Sequence, residues 1–189
     1  TLPFETPRNS FWLFGSDHPK FSSHHLIFDK TSYQETDDID QADFIYLSIP
    51  HILGEDQLNP EVFRPNLERL IRKNLPMVCP NPDRFAHEGN PPLPVVRQGS
   101  IGKMYEEMRG KVFYIGKPYE TVFSIAFSHF QNHGLSNRKD ILMVGDTPET
   151  DIRGANLFGI SSALVIETGI MKDRIGRSGK EEAYALPTD

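Results

Sequence analysis

Six short apolar runs constrain this chain more than any other feature: residues 11–14, 44–49, 75–79, 112–115, 141–144 and 163–166. Each is shorter than an ordinary helix and rich in aromatic and branched side chains, so each is expected as a strand. Between them the apolar residues recur at helical spacing instead. Asn59 and Pro60 open one such segment, with Phe63, Leu67, Leu70 and Ile71 following. Val122, Phe123, Ala126, Phe127 and Phe130 share one face of another, which Gly134 stops, and a third runs from about 149 to 158. Strands alternating with helices predict an α/β fold built on a parallel sheet. The segment EGNPPLP, residues 88–94, breaks any regular element, and a helix then opens at Gly99 and Ser100 and closes near Gly110. The expected organisation is therefore residues 1–10 as a linker, 11–108 as one α/β domain and 109–189 as a second. The polar tail from Met171 onward is expected to be loosely ordered surface.

Composition removes several classes of function. Apolar residues make up 38% and charged residues 24%, as in packed globular proteins. The formal net charge is -6 with the basic residues scattered, which gives no basic field for nucleic acid. No apolar run reaches the roughly 18 residues of a membrane span, and the N-terminus lacks a charged head with an apolar signal core. The expectations are no nucleic acid, no membrane and a cytoplasmic protein. The lone Cys79 cannot pair within the chain and is expected as a small buried hydrophobe in a reducing compartment.

The chemistry-bearing stretch is ILMVGDTPETDIRGA, residues 141–155. A fully apolar strand runs directly into Asp146, which puts a carboxylate at the C-terminal edge of a parallel sheet, where open α/β folds bind ligands. Asp151 follows in the first turn of the next helix, so one loop can fold both carboxylates toward one point. Two hard oxygen ligands suit Mg²⁺, which takes one or two carboxylates and completes its octahedron with water and substrate phosphate. The plainer alternative is a strand-ending turn at Asp146 and a helix-dipole contact at Asp151. Upstream, YIGKPYE displays Lys117 at a strand end, between Gly116 and Pro118; a lysine there can neutralise a phosphate.

GKP after one strand, GDxxxxD after the next, an RGA-like helix start and GI before a further strand together resemble the third and fourth motifs of the haloacid dehalogenase superfamily. The chain is similar in particular to the class IIA phosphatases, the group of 4-nitrophenylphosphatases and phosphoglycolate-type phosphatases. Their cap domain precedes the lysine motif and contains an NPD-like sequence, matched here by Asn81, Pro82 and Asp83. The resemblance implies a partial Rossmann-like core, a parallel sheet, with an α/β class II cap domain. Lys117 would hold nucleophile and phosphate, Asp146 would ligate Mg²⁺, and Asp151 would support the metal shell directly or through water. Asn81 and Asp83 would contribute to substrate selection. The implied substrate is a small phosphorylated metabolite, and the resemblance allows a homodimer.

One part of the pattern is not found. Such phosphatases attack phosphorus with an aspartate of a DxD motif after an apolar strand. Asp38 and Asp40 have that spacing but sit in an acidic polar stretch, so no nucleophile is assigned in this chain. The expectation is that the N-terminal part of the core, with residues 1–10 as its remnant, is cleaved, disordered or not encoded. LIFDKTS, residues 26–32, presents Asp29 after an apolar run with Ser48 further on, but Thr31 stands where the acid/base aspartate belongs. His129 and His133 share a helix face, and His18, His24 and His25 group near the start, yet a zincin needs glutamate where Phe130 stands. The leading expectation is an Mg²⁺-dependent hydrolase of a small phosphate monoester that works through an aspartyl-phosphate. The alternative is a catalytically inactive binding or scaffolding protein of the same fold, and a receiver-like phosphoacceptor stands behind both.

Overall fold

The computed structural model describes residues 2–15, 24–91 and 93–179, and of His24 and His25 only the backbone. His18 and the tail beyond residue 179 lie outside the described residues. The chain divides into two compact units, Thr1–Ile115 and Gly116–Asp189. The division falls after the strand at 112–114 rather than at the expected 108/109, because that strand hydrogen-bonds into the first unit's sheet.

The first unit is ordered β1 (Ser10–Phe14), α1 (His24–Phe28), β2 (Gln34–Glu35), β3 (Phe44–Leu47), β4 (His51–Ile52), β5 (Glu55–Asp56), α2 (Arg64–Leu70), β6 (Met77–Cys79), β7 (Phe85–Glu88), β8 (Leu93–Val96), α3 (Gln98–Glu107) and β9 (Val112–Tyr114). Five strands form one parallel sheet in the order β2-β1-β3-β6-β9. Such a sheet must be covered on both faces. Successive side chains of β3 serve opposite faces. Ile45 and Leu47 join Phe14, Met77 and Cys79 under Leu67 and Leu70 of α2 and Ile101, Met104 and Tyr105 of α3. Phe44 and Tyr46 join Phe11 and Val78 on the other face, against Phe28 of α1 and Tyr33. Full burial of each such side chain contributes about 1.5–3 kcal/mol.

One expectation changes here. Residues 88–94 do not break regular structure: Glu88 and Leu93 pair across the antiparallel β7–β8 hairpin. Arg97, 6% exposed at its side chain, ties that hairpin to β4–β5 through Glu88 at 3.0 Å and Asp56 at 2.7 Å. The apolar run before Asp29 forms the short helix α1, and Asp29 is exposed. Asp38 accepts the Asp40 N–H at 3.0 Å in a capped turn, and Asp40 pairs with Lys73.

The second unit contains α4 (Glu120–Asn132), β10 (Leu142–Gly145), a π-helical turn (Pro148–Ile152), α5 (Arg153–Phe158), β11 (Ser161–Leu164) and α6 (Gly169–Ser178). β11 starts two residues before the expected 163, since Gly159 at φ 80° ends α5 and the chain turns straight back. The region from Met171 to residue 178 is helix and not loose surface, and Met171 is fully buried. Phe123, Ala155 and Phe158 form this unit's core, with Val122, Phe127 and Met143 beside it. Arg138 closes it by lying 4.0 Å over the Phe158 ring. β10 and β11 pair in parallel, and β10 pairs with no other strand among the described residues. Leu142 and Val144 of β10 are more than half exposed. His129 and His133 are both exposed on α4, where His133 Nδ1 hydrogen-bonds to the His129 carbonyl at the helix end.

Candidate active site

The acidic loop is shaped by what its glycines allow. A Cβ on Gly145 would stand 2.2 Å from Asp151 Oδ2, so only glycine lets the strand end fold under that carboxylate. The loop then winds through the π-helical turn, in which the Thr147 carbonyl accepts from Asp151 N at 2.8 Å. Asp151 Oδ2 in turn accepts from Thr147 N at 3.1 Å. On the other side, a Cβ on Gly154 would meet the Phe123 ring at 2.5 Å and Pro118 Cα at 3.0 Å. The small residue in RGA thus brings α5 against the GKP loop, and Lys117 Nζ donates to Asp151 Oδ1. Asp151 is buried while Lys117 is 41% exposed at its side chain.

Asp146 is held differently. Its Oδ2 accepts from Ile170 N at 2.9 Å, in the first turn of α6, and its Oδ1 accepts only a 3.3 Å bond from the Thr147 hydroxyl. Gly169 makes the approach possible: at φ +62° it turns α6 toward the loop, and a Cβ there would fall 1.7 Å from Asp146 Oδ2. One turn along α6, Arg174 donates to Glu149 Oε1 at 2.5 Å, so the helix grips the loop twice. The sequence reading missed Gly169, Ile170, Arg174 and Glu149. Thr168 and Gly169 directly after a strand, followed by a segment free of Pro, were the signal for this helix start.

Of the five residues singled out, Lys117, Asp146 and Asp151 are thus gathered around one loop of the second unit. Asn81 and Asp83 stand in the first unit. There Asn81 Oδ1 accepts from Asp83 N at 3.1 Å, which makes NPD an Asx turn. The turn packs on the start of α3, with Gly99 N donating to the Asp83 carbonyl at 2.9 Å. Among the described residues no three His, Cys, Asp or Glu side chains come together as a metal cluster.

The chain's C-terminal residues 114–187 match the HAD-hydrolase-like family. Over 93 residues, 43% of this chain and 16% of the other, it is 38% identical to a cardiolipin synthase (CMP-forming) / mitochondrial hydrolase fusion protein of Schizosaccharomyces pombe. A haloacid dehalogenase-like hydrolase from Brucella suis superposes with TM-score 0.71 at 24% identity, over 95% of this chain and 64% of that one. A p-nitrophenyl phosphatase from Archaeoglobus fulgidus gives 0.62 at 22%, over 96% and 63%. NagD from Escherichia coli K-12 gives 0.57 at 19%, over 94% and 62%. The chain therefore spans less than two thirds of each of these relatives. Residues 114–187 thus match the HAD-hydrolase-like family, and nearly the whole chain shares the fold of these haloacid dehalogenase-like structures.

Proposed function

We propose that this chain is the cap and metal-loop portion of an Mg²⁺-dependent phosphatase acting on a small phosphate monoester. The observation that carries the reading is the pairing of Lys117 with a buried Asp151 on the loop that begins at Asp146. Asp151 has both oxygens engaged, one by Lys117 and one by Thr147 N. Asp146 keeps its Oδ1 nearly open and is partly exposed. Mg²⁺ suits this donor chemistry, a hard and partly exposed carboxylate oxygen. Asp146 would be its ligand here, and the ion would supply charge neutralisation at the transferring phosphoryl group. Asp151 would hold the lysine ammonium ready for the same charge without itself leaving the buried loop.

The nucleophile would come from sequence other than these residues. The exposed Leu142 and Val144 on the half-paired strand β10 are where a further parallel strand would bring it, with the strand's C-terminal end beside Asp146. That aspartate would form the aspartyl-phosphate, and a second one would act as acid and base. The first unit, with its Asx turn at Asn81 and Asp83, would be the substrate-selecting cap. A cytoplasmic setting fits the reduced, buried Cys79, and no helix among the described residues is long and apolar enough to cross a membrane. A homodimer is part of the proposal only by family resemblance.

The test is phosphate release from 4-nitrophenyl phosphate by the intact protein that contains this sequence, with and without Mg²⁺. Activity that needs Mg²⁺ and disappears in Asp146→Asn and Lys117→Ala supports the assignment. An intact, folded protein without activity across a broad panel of phosphate esters overturns it in favour of the binding-protein alternative.

A further inference from the structure

The first unit contains a groove that the phosphatase reading does not use. It encloses about 550 Å³, within the range of small-molecule sites, roughly 300–1,000 Å³. Its floor is Trp12, Phe14 and Leu70, and its rim carries Arg69, Arg72 and Lys73. Strand alternation puts Trp12 and Phe14 on the same face of β1, with ring centroids 6.4 Å apart at 65°. Phe14 and Leu70 belong to the core beneath, while Trp12 stays half-buried at its edge. The floor is therefore aromatic and mostly buried, with part of Trp12 open to the groove.

The rim is charged with one sign. Arg69 and Arg72 are three residues apart and so share a face. Both are exposed, and neither makes a side-chain hydrogen bond or ion pair with a described residue. Four other arginines are engaged: Arg64 by Glu61, Arg97 by Asp56 and Glu88, Arg138 by the Phe158 carbonyl, Arg174 by Glu149. Lys73 is held by Asp40. Among the described residues His51 is the remaining ionisable group of the lining, and no Asp or Glu lines the groove. Two uncompensated guanidinium groups above an aromatic floor, on a chain of net charge -6, match an anion with an apolar body. The planar guanidinium fork favours a carboxylate or phosphate head.

We propose that this groove binds a small anionic amphiphile, its apolar body against Trp12 and Phe14 and its carboxylate or phosphate head between Arg69 and Arg72. The site stands whether or not the chain is part of a phosphatase. Trp12 is the single tryptophan, so its fluorescence reports on this groove alone, and a bromine atom quenches indole emission only at close range. The probes are ω-bromododecanoate, ω-bromododecyl phosphate and the neutral ω-bromododecanol. Saturable quenching by the anions, at least about tenfold tighter than by the alcohol, is the expected result; the tighter of the two anions identifies the head group. Arg69→Gln combined with Arg72→Gln weakens anion binding about tenfold, the size expected for two partly exposed charge contacts. Because both side chains lie on the surface, circular dichroism and unfolding of that variant stay as in the parent. Arg64→Gln leaves binding unchanged. Absence of saturable quenching, equal quenching by acid and alcohol, or full affinity in the double variant would each overturn the proposal.

Discussion

Replacing Lys117 with methionine keeps the aliphatic stem but strands a carboxylate. Asp151 has 4% of its side chain exposed and Lys117 has 41%, so the pair is buried at one end and wet at the other. In Lys117→Met the carboxylate keeps one hydrogen bond among the described residues, from Thr147 N at 3.1 Å. Removing one partner of a fully buried pair costs about 3–5 kcal/mol, whereas exposed pairs contribute about 0–1 kcal/mol. The exposed ammonium places this pair between those limits, and the expected loss is about 2 kcal/mol. Asp151→Asn releases a lysine that water can solvate, so it costs less, about 1 kcal/mol, mostly from the weakened bond to Thr147 N. The double variant no longer contains a buried unpaired charge. Its cost falls short of the sum of the singles by a coupling energy of about 1–2 kcal/mol. Urea unfolding of the four proteins measures that coupling directly, and repeating it at high salt retains most of the effect because the buried end is poorly screened. A coupling below about 0.3 kcal/mol would refute the argument, since the ion pair would then be a surface contact in energetic terms.

Two further outcomes follow from the same geometry. Gly169→Ala forces a side chain at φ +62° and into the space of Asp146 Oδ2; strain and the lost Ile170 N bond together cost about 2–3 kcal/mol in thermal unfolding. Adding Asp146→Ala relieves the clash, so the double variant is less destabilised than the two singles summed; strict additivity would count against the contact. Burial pushes the Cys79 thiol from its ordinary value near 9 up to about 12, and the raised folded value means the stabilisation is complete below pH 9 and lost as pH climbs toward 12. Denaturant unfolding over that pH range should therefore show stability falling by up to about 1.4 kcal/mol per pH unit from this group. Cys79→Ala lowers that slope, leaving the part above pH 10 that comes from the buried Tyr46 and Tyr105 hydroxyls, also pushed up to about 12; a slope unchanged by the substitution would contradict it.

The site was legible in the sequence to the extent that it is local. Asp146 and Asp151 lie on one loop after an apolar strand, and glycine at 145 is what such a strand end needs. Lys117 is separated from them in sequence, and its preceding strand β9 pairs in a different sheet from β10; the two motifs meet where Gly154 lets α5 close on Pro118 and Lys117 reaches Asp151. Asn81 and Asp83 are joined by a bond local to the NPD sequence, from Asp83 N to Asn81 Oδ1.

What the sequence by itself determined was the alternation of strands and helices, and the residue types at strand ends, because both are written in spacing over a few residues. What only the tertiary structure decided involves long-range partners. The hairpin of β7 and β8 was hidden because Gly89 and Pro91 read as breakers, while its stability comes from pairing and from Arg97 reaching Asp56 and Glu88. α6 was hidden because its surface is polar; its place is fixed by Met171 in the core, by Ile170 N on Asp146 and by Arg174 on Glu149. Likewise, Asp146 and Asp151 look equivalent as two carboxylates on a loop. Burial and hydrogen bonding separate them: Asp151 is buried with both oxygens engaged, while Asp146 is partly exposed and its Oδ1 accepts only a long bond from the Thr147 hydroxyl.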